Sequence, residues 1–343
     1  MNFRPLTIVG GGLAGLATAL LLREKDLPVE LHEAGSYPRH RVCGEFISGA
    51  GLDFLSSALF KDDSPPWEGK AINSVRWHLD GLEISLSLPQ PACTLSRHVL
   101  DLKLACLFRD RGGVLHENSR INASGPGVVR ATGRRSASSV HGWRYFGLKV
   151  HAVLQHPLAE LRVFHTMHGY VGINPVEGHW VNICGLFRTG QPVPDLATRW
   201  QEWLCDDGSP ALRQFLAGAE FRDGSFTATA ALPMTPLSEI RNQPLCLGDA
   251  MGMIPPFTGN GMSIAFESAM IAAPVLAAYS RHRLDWNETV TLIQSKLVAA
   301  FLYRIRRAYW IQQLLWTKTG RFFLFGTVKA TPSMFSLMFR LTR

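Results

Sequence analysis

The sequence LTIVGGGLAGLATALLLREKDLPVELHE, residues 6–33, decides the fold of this chain. A short apolar run leads into three glycines spaced G-x-G-x-x-G, an Ala- and Leu-rich helix follows, and a second apolar run ends in Glu33. Gly10 permits a tight turn, Gly12 lets a pyrophosphate approach the backbone, and Gly15 lets the helix pack closely on the strand. The helix N-terminus suits a phosphate, and the Glu33 carboxylate suits a ribose. The pattern predicts a bound dinucleotide.

Two other interpretations of this stretch are less favoured. A signal peptide would need an uninterrupted apolar run and a small-residue cleavage site, whereas glycines interrupt this run and Glu24 and Asp26 end it. A membrane span would need about 20 consecutive apolar residues. The six cysteines are scattered and form no C-x-x-C pair. These observations predict a cytoplasmic protein with reduced thiols and no metal site.

The net charge of +8 is confined to the C-terminal segment. Residues 289–343 hold nine cationic residues and no acidic residue, while residues 1–288 are close to neutral. No nucleic-acid-binding motif accompanies this charge, which argues against a nucleic-acid partner. The segment is rich in large apolar residues but has no run long enough to span a bilayer. Two interpretations stay open: peripheral contact with an anionic membrane at its inner face, and helices that cover the substrate site.

Apolar periodicity predicts how the chain is divided. The runs on either side of Asp80-Gly81 alternate over 72–88, which is typical of a β-hairpin. Short β-rich runs occupy 145–187, and helical spacing dominates the end of the chain. The other predicted elements are a loop over 36–48, a short helix over 49–66, helices over 96–111, 196–204, 210–217, 259–280 and 287–316, and strands over 128–133 and 245–248. This order indicates a dinucleotide-binding domain interrupted by a mainly β domain.

A second informative stretch, LCLGDAMGMIPPFTGNGMS, occupies residues 245–263. It predicts a strand that ends in Gly248-Asp249, a proline-rich turn, and a long helix that begins near Gly261. Asp249 would lie at the carboxyl end of a strand, where open α/β sheets bind ligands, and could accept hydrogen bonds from ribityl hydroxyls. The same carboxylate could instead cap a turn or a helix.

Together these stretches resemble the FAD-dependent oxidoreductases of the aromatic-hydroxylase (class A flavin monooxygenase) and geranylgeranyl-reductase superfamily. The resemblance extends to about residue 285. It rests on the glycine fingerprint with Glu33, the loop RVCGEFIS at 41–48, the helix start LSRHVLDLKL at 95–104, and GDAMGMIPPFTGNG at 248–261, with a weaker match in ATGRRS at 131–136. It implies an α/β fold in which a Rossmann-like FAD-binding domain of the glutathione-reductase (GR2) type is interrupted by a mainly β substrate domain and followed by C-terminal helices.

The resemblance also divides the chain and assigns residues to FAD. The FAD-binding domain would comprise 1–70, 93–147 and 240–285, the substrate-binding sheet 71–92 and 148–239, and the basic-apolar helical segment 286–343. The residues implied to contact FAD are Gly10, Gly12, Leu13, Ala14, Gly15, Glu33, Ala34, Arg41, Cys43, Gly44, Arg97, Gly248, Asp249, Pro256, Gly259, Asn260, Gly261 and Met262.

The chain departs from this superfamily in ways that bear on the reaction. It has Thr132-Gly133 where hydroxylases commonly have Asp-Gly, and it has no second dinucleotide fingerprint, so NAD(P)H would act as a transient electron donor. The tryptophan-rich signature of flavin halogenases is absent. The substrate-lining motif of the reductases corresponds to GYVGINP at 169–175, which lacks the usual aromatic residues.

Two residues of the loop at 41–48 are candidate catalytic groups. A Cys43 thiol near the flavin could donate a proton after hydride transfer. The alternative is a small buried apolar residue, which is the commoner role of cysteine. Glu45 could act as an acid or base, or could form a salt bridge with Arg41 or Arg39.

Aromatic residues on predicted strands suggest where an apolar substrate would bind. They are Trp77, Tyr170, Trp180 and Phe187, which could line a cavity over the flavin or belong to the core of the sheet. The expected function is that of a monooxygenase acting on an apolar aromatic or polyketide-type small molecule. The alternatives are reduction of carbon–carbon double bonds in an isoprenoid or lipid, and a flavin-bound binding protein without catalysis.

Overall fold

The structure is a computed structural model that describes residues 2–56, 68–134, 139–140, 142–192, 195–232, 234 and 244–343. The strands are β1 Leu6–Val9, β2 Val29–His32, β3 Phe46–Ser48, β4 Lys70–Leu79, β5 Leu82–Thr94, β6 Val114–His116, β7 Val128–Arg130, β8 Arg144–Val153, β9 Leu161–His165, β10 Gly169–Pro175, β11 Val181–Thr189, β12 Glu220–Phe221 and β13 Thr227–Thr229. The helices are α1 Leu13–Arg23, α2 Ala50–Phe54, α3 Arg97–Asp110, α4 Leu196–Leu204, α5 Pro210–Phe215, α6 Gly261–Ser280, α7 Trp286–Leu315, α8 Lys318–Ala330 and α9 Ser333–Leu341.

A parallel sheet in the order β6-β2-β1-β7 forms the first layer. α1 crosses from β1 to β2 and packs against α3 and α6. Almost all of its side chains are buried, because its own Ala and Leu residues occupy every side of the helix. The predicted strand over 245–248 is reduced to one bridge between Cys246 and Arg130, since a 3-10 turn over Gly248–Ala250 redirects the chain.

The second layer is a sheet in the order β12-β8-β11-β10-β9-β4-β5-β3, in which β13 also pairs with β8. The hairpin predicted around Asp80-Gly81 is confirmed, and both turn residues have positive φ, as a two-residue hairpin turn requires. The predicted loop over 36–48 differs at its end, where β3 joins this sheet beside β5. The sheet also begins earlier than expected, because β8 starts at Arg144. Residues 57–66 of the predicted helix over 49–66 lie outside the described residues.

The C-terminal helices continue from the first layer to the face of the second. α6 begins at Gly261, and α7 packs along α6 before α8 and α9 turn back to β4 and β5. By length and composition α6 could cross a membrane, but 61% of its most apolar window is buried inside the protein, as in a core helix. α8 and α9 meet the same criterion together, although they are bent by 119°.

Candidate active site

Two adjoining cavities lie beside the second sheet, the larger one against the parallel sheet and the smaller one against the C-terminal helices. The larger has a volume of about 650 Å³ and is lined by all of the residues predicted to contact FAD except Gly15 and Asn260. The smaller has a volume of about 230 Å³. Their shared lining residues are Val42, Cys43, Gly44, Phe46, Pro256 and Gly259. The two cavities therefore adjoin at the loop that contains Cys43 and at the turn that contains Pro256 and Gly259.

The three fingerprint glycines differ in what surrounds them. Gly10 has φ +107°, and a Cβ there would lie 2.3 Å from the carbonyl oxygen of Ala131. A Cβ at Gly15 would lie 2.0 Å from the Gly10 carbonyl oxygen, so Gly15 serves packing and does not line the cavity. At Gly12, the N-cap of α1, a Cβ would meet only Arg97 at 4.0 Å and would project into the cavity. The arrangement fits a pyrophosphate at the α1 N-terminus.

Glu33 lines the larger cavity directly after β2. Its carboxylate accepts hydrogen bonds from the N–H groups of Gly11 at 2.8 Å and Gly35 at 3.0 Å, and it forms ion pairs with Arg39 and Arg41. Burial alone would raise the pKa of Glu33, but these donors and cations together lower it below the ordinary value. The carboxylate is therefore ionised at neutral pH and is a suitable acceptor for ribose hydroxyls.

Arg97 is held rigidly at the start of α3. Its Nε and Nη2 donate to the two carboxylate oxygens of Asp101 at 2.6 and 2.7 Å. Arg41 Nε lies 3.3 Å from the same carboxylate, so one fully buried acidic group orients two cavity-lining cations. The sequence analysis did not select Asp101, although its spacing four residues after Arg97 on a predicted helix was a usable signal.

Asp249 also lines the larger cavity. Burial raises the pKa of this carboxyl, and the nearby charges of Arg134 and Arg97 act against the rise. Asn260, by contrast, does not line the cavity. Its Nδ2 donates to the Thr342 carbonyl oxygen at 2.5 Å, so it connects the start of α6 to the C-terminal segment.

The smaller cavity is lined mainly by apolar side chains from β4, β5, β9, β10 and the C-terminal helices. Of the four aromatic residues predicted to line a substrate site, Trp77 and Tyr170 do so. Phe187 is fully buried on the other face of the sheet, where it packs against Phe146. Trp180 lies apart, under the Arg222 guanidinium. Neither Phe187 nor Trp180 reaches the cavity.

Glu45 belongs to a buried polar cluster. Its carboxylate lies 3.2 Å from Lys149 Nζ and 2.7 Å from His151 Nε2, and it accepts a hydrogen bond from the Arg97 N–H at 2.9 Å. Burial alone would raise the pKa of Glu45, but these partners lower it. The expected salt bridge with Arg41 or Arg39 is wrong, because both arginines pair with Glu33.

Lys149 and His151 were not selected from the sequence. They alternate on the apolar strand β8, which places both side chains on one face. Lys149 Nζ also contacts His40 Nδ1 at 3.0 Å, and His40 lines the larger cavity. Burial, with the charges of Lys149 and neighbouring histidines, lowers the pKa of His40 to about 3. The neutral His40 ring therefore lies between the buried cluster and the cavity.

Cys43 lies where the two cavities meet. Its sulfur accepts a hydrogen bond from the Glu45 N–H at 3.4 Å. Burial raises the pKa of the thiol above its ordinary value, and nearby Arg97 acts against that rise. Cys43 is therefore a protonated thiol at neutral pH, which satisfies one requirement of a proton donor.

One group of possible metal ligands occurs among the described residues. Potential ligand atoms of Glu30, His32 and His116 lie within 4.8 Å of one another at the edge of the parallel sheet. The Glu30 carboxylate is 3.9 Å from the His32 imidazole and 3.7 Å from the His116 imidazole.

Comparisons with known proteins agree with this geometry. A family model described as an NAD(P)-binding Rossmann-like domain matches residues 8–68. A kynurenine 3-monooxygenase from Dictyostelium discoideum is 36% identical over 80 residues, which are 21% of this chain and 17% of that protein. The chain thus matches about one sixth of the length of this curated relative.

Solved structures cover far more of the chain. The flavin-dependent brominase Bmp2 aligns with a TM-score of 0.76 at 15% identity, over 100% of this chain and 93% of that one. A geranylgeranyl bacteriochlorophyll reductase-like protein from Thermoplasma acidophilum aligns with a TM-score of 0.71 at 16% identity, over 93% and 90%. These alignments confirm the predicted fold class, an α/β FAD-binding architecture with a second sheet and C-terminal helices.

Proposed function

We propose that this chain, which belongs to the FAD-dependent oxidoreductase superfamily that its sequence resembles, binds FAD in the larger cavity and oxygenates an apolar small molecule in the smaller one. The observation that carries the proposal is the shared wall of the two cavities, which includes Cys43, Gly44, Pro256 and Gly259. In this arrangement a substrate lies against the reactive edge of the cofactor while most of the cofactor stays in a separate compartment.

The residues of the larger cavity fit FAD in both shape and charge. Gly12 leaves room for a pyrophosphate at the α1 N-terminus, and Glu33 would accept hydrogen bonds from the ribose. Arg97, fixed by Asp101, would supply positive charge near the pyrophosphate or ribityl chain. Asp249 would accept hydrogen bonds from the ribityl hydroxyls. Bound FAD would supply the redox chemistry, accepting electrons from NAD(P)H and passing them on.

Two observations favour oxygenation as the reaction. The smaller cavity has a mainly apolar lining, which suits an apolar substrate. A kynurenine 3-monooxygenase is 36% identical to this chain over 80 residues. Transient binding of NAD(P)H is part of the proposal, because the single fingerprint is assigned to FAD.

Reduction of a carbon–carbon double bond is the second candidate. It is favoured by the protonated thiol of Cys43 at the boundary of the two cavities, where a proton donor would be needed. The structural likeness to a reductase-like protein is compatible with it. A flavin-bound binding protein without turnover is the remaining alternative.

One experiment separates these three functions. The purified chain is loaded with FAD and incubated with NADPH and a panel of phenolic and prenyl compounds, with ¹⁸O₂ or without oxygen. A product heavier by one ¹⁸O atom supports oxygenation, and a product heavier by two hydrogens in the anaerobic reaction supports reduction. A stable yellow protein without either product supports binding alone. A chain that stays colourless after incubation with FAD contradicts the proposal.

A further inference from the structure

The smaller cavity contains one feature that an apolar substrate alone does not require. Among the described residues that line it, Arg343 is the one with a charged side chain. The surrounding lining residues include Val75, Leu86, Phe335 and Met338. A cation in such surroundings loses much of its hydration, and a buried charge normally has a partner of opposite charge.

Arg343 has neutral partners that hold it in place. Its Nε donates to Ser48 Oγ at 2.8 Å, Nη2 to the Thr258 carbonyl oxygen at 3.0 Å, and Nη1 to the Phe339 carbonyl oxygen at 3.5 Å. The guanidinium also stacks on the Phe339 ring at 3.3 Å. A guanidinium has five N–H groups, so two remain for another acceptor.

No carboxylate side chain in the described part of the chain forms an ion pair with Arg343. The charged side chain that affects the pKa of Arg343 is Arg304, and Arg304 forms an ion pair with Glu267. Burial and Arg304 lower the pKa of Arg343 to about 9, and the group is still a cation at neutral pH. The guanidinium is therefore oriented by neutral groups but not neutralised by them.

We propose that the substrate is an apolar molecule that carries one anionic oxygen group, a carboxylate or a phenolate, and that Arg343 binds this group. This inference rests on the proposed function, because it places the substrate in the cavity beside FAD. Arg343 donates its two remaining N–H groups to the anion, which fits the planar geometry of an arginine–carboxylate pair. Since Arg343 contacts Thr258, the anionic end is fixed near the Pro256–Gly259 turn that borders the FAD cavity.

The test compares acids with their neutral amides. The FAD-loaded protein is titrated with benzoate, 2-naphthoate and dodecanoate and with the three corresponding amides, and binding is followed by the change in flavin absorbance and by calorimetry. We expect at least one acid to bind about tenfold or more tightly than its amide, as a charge-assisted hydrogen bond implies. If no acid binds more tightly than its amide, the inference is overturned.

Matched variants assign the effect to Arg343. Arg343→Gln should abolish the preference for the acid, and Arg343→Lys should retain part of it. Arg340→Gln, three residues earlier at an exposed position of α9, should keep the full preference. An equal loss in both glutamine variants would contradict the inference. FAD content and the melting temperature of each variant show whether the cofactor site and the fold are intact. If the wild type does not bind FAD, the proposed function fails. If the wild type binds FAD but shows no preference for acids, this inference alone fails.

Discussion

The Glu45 carboxylate and the Lys149 ammonium lie 3.2 Å apart, and neither side chain is exposed to solvent. Glu45 comes from the loop before β3, and Lys149 comes from the centre of β8. The pair therefore joins the loop beside the larger cavity to the second sheet. His151 shares the carboxylate from the same strand. This relationship favours a role for Glu45 in fixing that loop to β8 over a role as an acid or base.

Loss of one partner of this pair should destabilise the protein strongly. We expect Lys149→Met to reduce the free energy of unfolding by about 3–5 kcal/mol, because the buried Glu45 charge loses a main partner. Urea denaturation followed by circular dichroism measures the change. Lys296→Met removes a lysine from an exposed position of α7 and should change stability by less than about 0.5 kcal/mol. Similar losses in the two variants would contradict the assignment.

The same pair predicts how stability depends on pH. The folded-state pKa of Glu45 lies below its ordinary value, so its contribution to stability is fully present above the unfolded-state pKa of about 4.3 and is lost as the pH falls through the lower folded-state pKa. Denaturation midpoints measured from pH 7 to pH 3 should decline less steeply in Glu45→Gln than in the wild type. Glu220→Gln, at an exposed position, should follow the wild-type curve. Parallel curves for all three proteins would contradict this prediction.

Substitutions of Gly12 and Gly15 should impair the protein in different ways. Gly12→Val should leave the far-ultraviolet circular dichroism unchanged but weaken FAD binding by about a hundredfold or more, because the side chain fills the space for the pyrophosphate. Gly15→Val should instead reduce soluble, folded protein, because its Cβ would lie 2.0 Å from the Gly10 carbonyl oxygen. Flavin absorbance and circular dichroism distinguish the two outcomes. Tight FAD binding by Gly12→Val would argue against the proposed position of the cofactor.

The Cys43 thiol should react slowly with alkylating reagents. Its pKa is raised by burial, so little of the reactive thiolate is present at neutral pH. We expect iodoacetamide at pH 7.5 to modify the exposed Cys106 well before Cys43, as measured by peptide mass spectrometry over time. Earlier modification of Cys43 would show that its thiol is activated.

Peripheral membrane contact through residues 289–343 stays a proposal, and the structure gives it a specific surface. Tyr303, Trp310 and Phe323 are each at least 65% exposed, and Arg306 and Arg307 are exposed on the same helix as the first two. Exposed aromatic residues beside cations are typical of surfaces that bind anionic membranes.

We expect the protein to float with vesicles of phosphatidylglycerol at low salt and to be released at high salt. The double variant Trp310→Ser/Phe323→Ser should float less, while Met167→Ser, an exposed apolar residue outside the C-terminal helices, should behave as the wild type. An absence of flotation by the wild type at low salt would contradict membrane contact. The other interpretation of this segment, a cover over the substrate site, is supported by Phe335 and Met338, which line the smaller cavity.

Local sequence patterns are sufficient to predict features that depend on residues close together in the chain. The roles of Gly10, Gly12 and Gly15 follow from backbone geometry within one strand–turn–helix unit, and the hairpin at Asp80-Gly81 follows from its turn residues. The helix bounds were close to those observed, because capping and periodicity are local properties. Where partners are distant, the sequence leaves alternatives that contacts in space decide: Glu45 pairs with Lys149 and not with Arg41 or Arg39, and Phe187 belongs to the core of the sheet and not to the cavity lining.

The sequence by itself therefore determined the dinucleotide fingerprint, the order of the two layers and most of the residues that surround the FAD cavity. Only the tertiary structure decided that Lys149 neutralises Glu45, that Asn260 contacts Thr342, and that Arg343 enters the apolar cavity. The physical reason is that a charge is satisfied by whichever group comes within a few ångströms of it in space, and a periodic pattern along the chain carries no information about that distance.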